Sequence, residues 1–188
     1  MVTSLNQNEH FTKLDCFTKQ AKKKENSENI LVKLGVIAVY AASADFMLIQ
    51  AARLAEQIIL KSQLAEGKVN SKPHDDTWFF DNQIRSRRIT SEIKKLLPFK
   101  TNTDEKKDRQ INNIVKEFLS SSNDFLTSRN KILHHLLSPK GSIDEIGAYI
   151  EKTIKKFNGF RKINEEFVKI LHHYRFGEKK IQYFYGNS

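Results

Sequence analysis

The stretch "ILVKLGVIAVYAASADFMLI", Ile30 to Ile49, decides how this chain folds. It is almost wholly apolar, with Lys33 and Asp45 inside it, and it runs on into "QAARLAEQ". Ile30, Leu34, Ile37, Ala38, Ala41, Leu48, Ala51, Ala52, Ala55, Ile58 and Ile59 recur at three- and four-residue steps. That is the period of a helix burying one broad face, and it predicts a helix from Glu28 to about Leu64. The uninterrupted apolar part between Lys33 and Asp45 is too short for a comfortable membrane span. A buried core helix is the expectation. The small residues of "AVYAASA" and "QAARLAEQ" allow other helices to approach it closely.

Working outward, the same period recurs. Asn6 to Lys24 predicts a helix with Phe11, Leu14, Phe17 and Thr18 on one side, ending in the charged connection "KKKENSEN". After the long helix, "EGKVNSKPHDDT" carries Gly67 and Pro73 and interrupts the pattern. "WFFDNQIRSRRITSEIKKLLPF" predicts a basic helix that stops near Pro98, with Trp78, Phe79 and Phe80 as core residues before it. A fourth helix is expected from Asp104 to about Leu137. Its apolar face holds Ile111, Ile114, Val115, Phe118, Leu119, Phe125, Leu126, Ile132, Leu133, Leu136 and Leu137. A fifth is expected from Ile143 to Tyr174, with Ile146, Ile150, Ile154, Phe157, Phe160, Ile163, Phe167, Ile170 and Leu171 inward. Long helices and short connections predict an all-α bundle of about five helices with antiparallel neighbours.

Composition agrees. The chain has 188 residues, enough for one domain with a real core, so a single helical domain over 1–188 is expected, less ordered at its N-terminal start and C-terminal tail. Seven Gly and three Pro are few, which favours helices over turn-rich β architecture. The single cysteine, Cys16, rules out an internal disulfide framework and a Cys-rich zinc site. The first residues, "MVTSLNQNEHFTKLDCF", lack the basic start and apolar run of a signal peptide. A cytoplasmic protein without a membrane segment is the expectation. The net charge of +10 makes nucleic acid the first candidate partner, against the plainer reading of a solvated Lys-rich surface.

Several chemistries leave no mark. There is no Gly-rich phosphate loop, no dinucleotide fingerprint, no His-Glu-x-x-His helix and no nucleophile elbow. What remains is "SRNKILHHLL", Ser128 to Leu137, near the end of the fourth helix. Stepping Phe118, Ser122, Phe125, Arg129 puts Arg129 on the apolar ridge, where a guanidinium needs a partner. Asp45, Glu56 and Asp124 are candidate partners. Asn130 and His134 are four apart on a neighbouring stripe. Arg129 and His134 are roughly 140° apart around an ideal helix, so they share a cleft only if the long Arg side chain swings across. The plainer reading makes His134 and His135 a helix C-terminal cap and Arg129 a structural ion pair.

"RNKILH" resembles the signature of the HEPN superfamily, the higher eukaryotes and prokaryotes nucleotide-binding domains. Its pattern is an Arg, a polar residue that is often Asn, then a His after four to six intervening residues, late in an all-α bundle. Arg129, Asn130 and His134 match with four intervening residues, and His135 matches with five. The resemblance implies a HEPN-like bundle and a homodimer whose two motif copies meet across a two-fold axis. Its implied activity is a metal-independent endoribonuclease of toxin or defence type with no cofactor, under the control of an antitoxin or other regulatory protein. Arg129 would then stabilise the scissile phosphate, His134 or His135 would transfer protons, and Asn130 would support them. Some members carry a Tyr two residues after the His, modified by a partner nucleotidyltransferase. Leu136 or Leu137 stands there in this chain, which puts that mode of regulation in doubt.

The same residues chemically suit RNA cleavage. The 2′-OH must lose a proton, the 5′-oxygen must gain one, and a fixed cation must meet the phosphorane charge. Imidazole and guanidinium do these things near neutral pH. Two further stretches have weaker functional readings. Arg85, Arg87 and Arg88 of "QIRSRR" are a candidate RNA-tracking patch or a solvated helix face. "LHHYRF", Leu171 to Phe176, is a helix end or an RNA-contacting edge with cation and aromatic character. The alternative function is a non-catalytic helical module that binds a partner protein, a nucleotide or nucleic acid.

Overall fold

The computed structural model describes residues 3–65, 86–100, 104–137 and 142–176. The protein is an all-α helical bundle, with no strand among the described residues. Among the described residues the helices are α1 (Thr3–Lys24), α2 (Ile30–Ala65), α3 (Ser86–Lys94), α4 (Glu105–Leu137) and α5 (Ile143–Phe176). The expected helices are all present, three of them within two residues of their predicted ends. Trp78, Phe79, Phe80 and the start of the predicted third helix lie outside the described residues.

The helix starts follow local side-chain chemistry. Asn29 caps α2, its Oδ1 accepting from the backbone N–H of Leu31 at 2.9 Å and of Val32 at 3.3 Å. Asp104 caps α4, accepting from the N–H of Lys106 and Lys107 at 3.1 Å each. The Lys107 backbone hydrogen bond leads the effects that hold the Asp104 carboxyl below its usual value. α5 begins with a reciprocal capping box. The Glu145 N–H donates to Ser142 Oγ at 3.1 Å and the Ser142 N–H donates to the Glu145 carboxylate at 3.2 Å.

The described residues form two compact units. The first holds 3–44, 122–137 and 142–160. Within it α1 runs antiparallel to α2, because Thr18 meets Ser43 while Glu25 meets Tyr40. α4 runs antiparallel to α5, because Phe125 meets Phe157 and Phe160 while His135 meets Tyr149. α2 and α5 are parallel, with Lys33 on Glu151 and Tyr40 on Phe157. Tyr40 and Phe157 stack at 3.9 Å, both fully buried, and Phe125 meets the Phe157 edge at 5.4 Å. Such pairs add about 0.5–1.5 kcal/mol beyond their area burial.

A polar network sits beside this aromatic core. The Glu25 carboxylate, 8% exposed, accepts from the Tyr40 hydroxyl, from Asn158 Nδ2 at 3.1 Å and from Lys22 Nζ at 2.6 Å. Burial pushes this carboxyl up, but the hydrogen bonds from Lys22, Tyr40 and Asn158 together outweigh it and hold it below its usual value.

The second unit holds 45–65, 86–100, 104–121 and 161–176. Its core contains Met47, Leu48 and Ile58 of α2, Ile89 and Ile93 of α3, Ile111 and Phe118 of α4, and Phe167 and Leu171 of α5. Phe118 and Phe167 pack at 4.3 Å. After α3 the chain turns through a cis Leu97–Pro98 bond. Asn112 clamps Phe99 there, accepting from its N–H at 2.8 Å and donating to its carbonyl at 2.9 Å.

Ile30–Leu60 is long and apolar enough to cross a membrane, with mean hydropathy 1.7. The same helix buries Tyr40, Met47, Leu48 and Ile58 inside the protein, as a core helix does.

Four inward assignments change, those of Phe17, Ala38, Leu133 and Leu136, which are all exposed. Phe17 is 56% exposed, and the inner stripe of α1 is Leu14, Thr18 and Ala21. Thr18 Oγ1 lies 2.6 Å from Ser43 Oγ, so α1 meets α2 through small side chains at that level. On α4, Leu133 and Leu136 are 54% and 43% exposed, while Ser128 takes the buried position.

Candidate functional site

The last turns of α4 carry Arg129, Asn130, His134 and His135. The buried stripe of this segment is Ser122, Phe125, Ser128 and Ile132, in steps of three, three and four. Arg129 therefore lies on the flank of the stripe and is half-buried, not on the ridge as the stepping predicted. Its side chain is engaged with its surroundings.

Asn130 and His134 are exposed. His134 lies two positions beyond Ile132, roughly 200° around the helix from it, which is the side away from the core. Neither side chain makes a hydrogen bond, ion pair or ring contact among the described residues. His135 turns the other way. It is half-buried, and its ring stacks on Tyr149 of α5 with centroids 4.4 Å apart and an interplanar angle of 25°. The two histidines thus differ in kind: one is packed and one is presented to solvent.

Comparison with known protein families, with curated proteins and with solved structures finds no match.

The helix brings the four motif residues together, but it does not converge Arg129 and His134 by itself. Exposed Leu133 and Leu136 border the motif, so apolar and catalytic-type side chains share one solvent-facing surface. Asp45, the candidate acidic partner, lies half-buried on α2 in the second unit and is engaged with its surroundings. Arg87 and Arg88 lie at the start of α3, and Arg85 lies outside the described residues. Among the described residues no group of three or more His, Cys, Asp or Glu gathers that could hold a metal ion.

Tyr149 was not singled out in the sequence. His135 and Tyr149 meet only because the antiparallel helices α4 and α5 pack side by side, which neither helix's own pattern contains. Glu25 was hidden for a different reason. It sits in a charged connection, where a carboxylate ordinarily stays solvated, and its partner Tyr40 lies in an apolar run.

Proposed function

We propose that this protein is a HEPN-like, metal-independent endoribonuclease of toxin or defence type, acting on RNA in the cytoplasm as a homodimer. The observation that carries the reading is the presentation of His134. It faces solvent beside Asn130, with no side-chain partner among the described residues, while Arg129 stands half-buried on the flank of the same helix. A core histidine would be packed, as His135 is. The exposed Leu133 and Leu136 suit a symmetric contact that would bring a second Arg129–His134 pair opposite the first.

In this reading an imidazole takes the proton of the 2′-OH as its oxygen attacks phosphorus. The bond from phosphorus to the 5′-oxygen breaks, and that oxygen takes a proton from the second copy's imidazolium. The products are a 2′,3′-cyclic phosphate and a 5′-OH. Arg129 meets the charge on the phosphorane oxygens, and Asn130 orients one of these groups. A net charge of +10 draws the polyanion in. An antitoxin or other regulatory protein would cover the motif surface.

The test is cleavage of a mixed RNA pool in EDTA. Arg129→Ala and His134→Ala should each abolish product while circular dichroism stays helical. Wild-type protein that is inert on every RNA pool and harmless on expression overturns the reading.

A second reading is a non-catalytic helical module that binds a partner protein, a nucleotide or nucleic acid. The engagement of Arg129 with its surroundings favours it. Arg129→Ala would then lower stability strongly, because it removes one partner of a partly buried interaction.

A further inference from the structure

The C-terminal end of α5 holds a second arrangement of cation, imidazole and aromatic ring, in the second unit. The His172 ring lies 4.7 Å from the Phe176 ring at an angle of 46°. The Arg175 guanidinium carbon is 4.9 Å from the centre of the same ring. That is within reach of a cation–π contact, which leaves the guanidinium N–H groups pointing outward in the plane of the fork. Phe176 is 36% exposed.

Two polar atoms of this cluster are shielded from solvent without a hydrogen-bond partner: His172 Nδ1 and Arg175 Nε. Shielded polar atoms are almost always satisfied, so orphans gathered in one place mark where another group belongs. Stepping back by three and four residues from Arg175 gives His172, Val168 and Asn164 on one ridge. Asn164 is 3% exposed, and its Oδ1 is orphaned too.

We propose that His172, Arg175 and Phe176 form a contact site for single-stranded RNA, with Arg175 and His172 on a phosphodiester and the exposed Phe176 ring against a base. Arg175 has no carboxylate partner among the described residues, so its charge is available to an anion. Burial lowers the His172 pKa, which favours a neutral ring able to donate one hydrogen bond at neutral pH. Exposed Lys169 and His173 add basic character to the same helix end. A cation and an aromatic face side by side are the elements of single-strand binding surfaces, which tolerate many sequences because every base has a π-face. The proposal supplies a strand-holding contact distinct from the cleavage motif, and it rests on the RNA-cutting reading for the nature of the polyanion.

The probe is a fluorescein-labelled 2′-O-methyl oligouridylate, which has the RNA backbone charge but no 2′-OH to attack. Binding to the full chain is followed by fluorescence anisotropy at low and at physiological salt. Arg175→Gln should weaken binding about tenfold and reduce the salt slope by about one. Phe176→Leu should weaken it about fivefold with the slope unchanged. Arg175→Lys should recover the salt slope. The His172 ring proton signals should move on adding the oligonucleotide. Equal binding by wild type, Arg175→Gln and Phe176→Leu, all with unchanged circular dichroism, overturns the proposal and leaves the cleavage reading standing. Binding that depends on Arg175 in a protein that cuts no RNA keeps this proposal and removes the other. Displacement of the oligonucleotide by inorganic phosphate or polyglutamate at equal charge concentration also overturns it, because the site would then read charge alone.

Discussion

His135 is held against Tyr149 at 4.4 Å, while His134, one residue earlier, faces solvent on the same helix. Neighbouring positions on a helix point about 100° apart, so only one of the pair can pack on α5. The packed ring is tied to the hairpin between α4 and α5. In the proposed ribonuclease the outward ring would be the one that transfers protons. His134→Ala should therefore abolish RNA cleavage with little change in stability. His135→Ala should retain much of the cleavage and lower the urea midpoint, because it removes an aromatic contact worth about 0.5–1.5 kcal/mol. Cleavage rates and urea unfolding of the two variants check this. Loss of cleavage only in His135→Ala would reverse the assignment.

Glu25 predicts a specific acid response. Its carboxyl is held below its usual value in the folded protein by Lys22, Tyr40 and Asn158. The folded state thus binds this proton less readily than the unfolded state. The stability it contributes is present above the unfolded carboxylate value of about 4.3 and is lost as pH falls through the depressed folded value. Glu25→Gln should flatten that part of the stability-against-pH curve. At neutral pH Tyr40→Phe removes a donor to a charged acceptor and should cost about 1.5–3 kcal/mol. Urea titrations across the acid range, with the denaturant slope unchanged, are the measurement.

Phe157 is the crossing point of the first unit's core, stacked on Tyr40 and meeting the ring of Phe125. Phe157→Ala should cost about 3–5 kcal/mol, the transfer free energy of the ring plus the cavity it leaves. The thermal midpoint should fall steeply. Phe157→Leu should cost less, because it refills most of the volume with apolar atoms. Equal stability of the two variants would mean that α2 and α5 can close over the gap.

The helices were legible because their periodicity is strong and their ends carry Gly, Pro or capping residues. α2 was expected from Glu28 to about Leu64 and runs Ile30–Ala65. Burial around each helix was less legible. Phe17 and Thr18 were both expected inward, yet only Thr18 is buried, where its hydroxyl meets Ser43, and Phe17 beside it is exposed. Arg129 looked like the ridge residue, yet Ser128 is buried and Arg129 lies on the flank. In both cases the contact takes the small hydroxyl side chain, and the larger neighbour is displaced by one position.

The candidate site divides along the same line. Residue types and spacing were enough to single out Arg129, Asn130, His134 and His135 as candidates, because a guanidinium and an imidazole are visible as residue types wherever they end up in the fold. Helix class, helix extents and net charge were readable for a similar reason: each is a sum over local choices. The difference between His134 and His135 was not readable, since both fit the spacing and only the arrival of Tyr149 from α5 separates them. Glu25 with Tyr40 and Asn158 was equally hidden as an arrangement, and of His172, Arg175 and Phe176, which the sequence already places three and four apart on one helix, the shielding of His172 Nδ1 and Arg175 Nε was hidden. Burial, pairing and the orphaning of a polar atom depend on which neighbours the packed helices bring within a few ångströms, and no periodicity along one helix contains that.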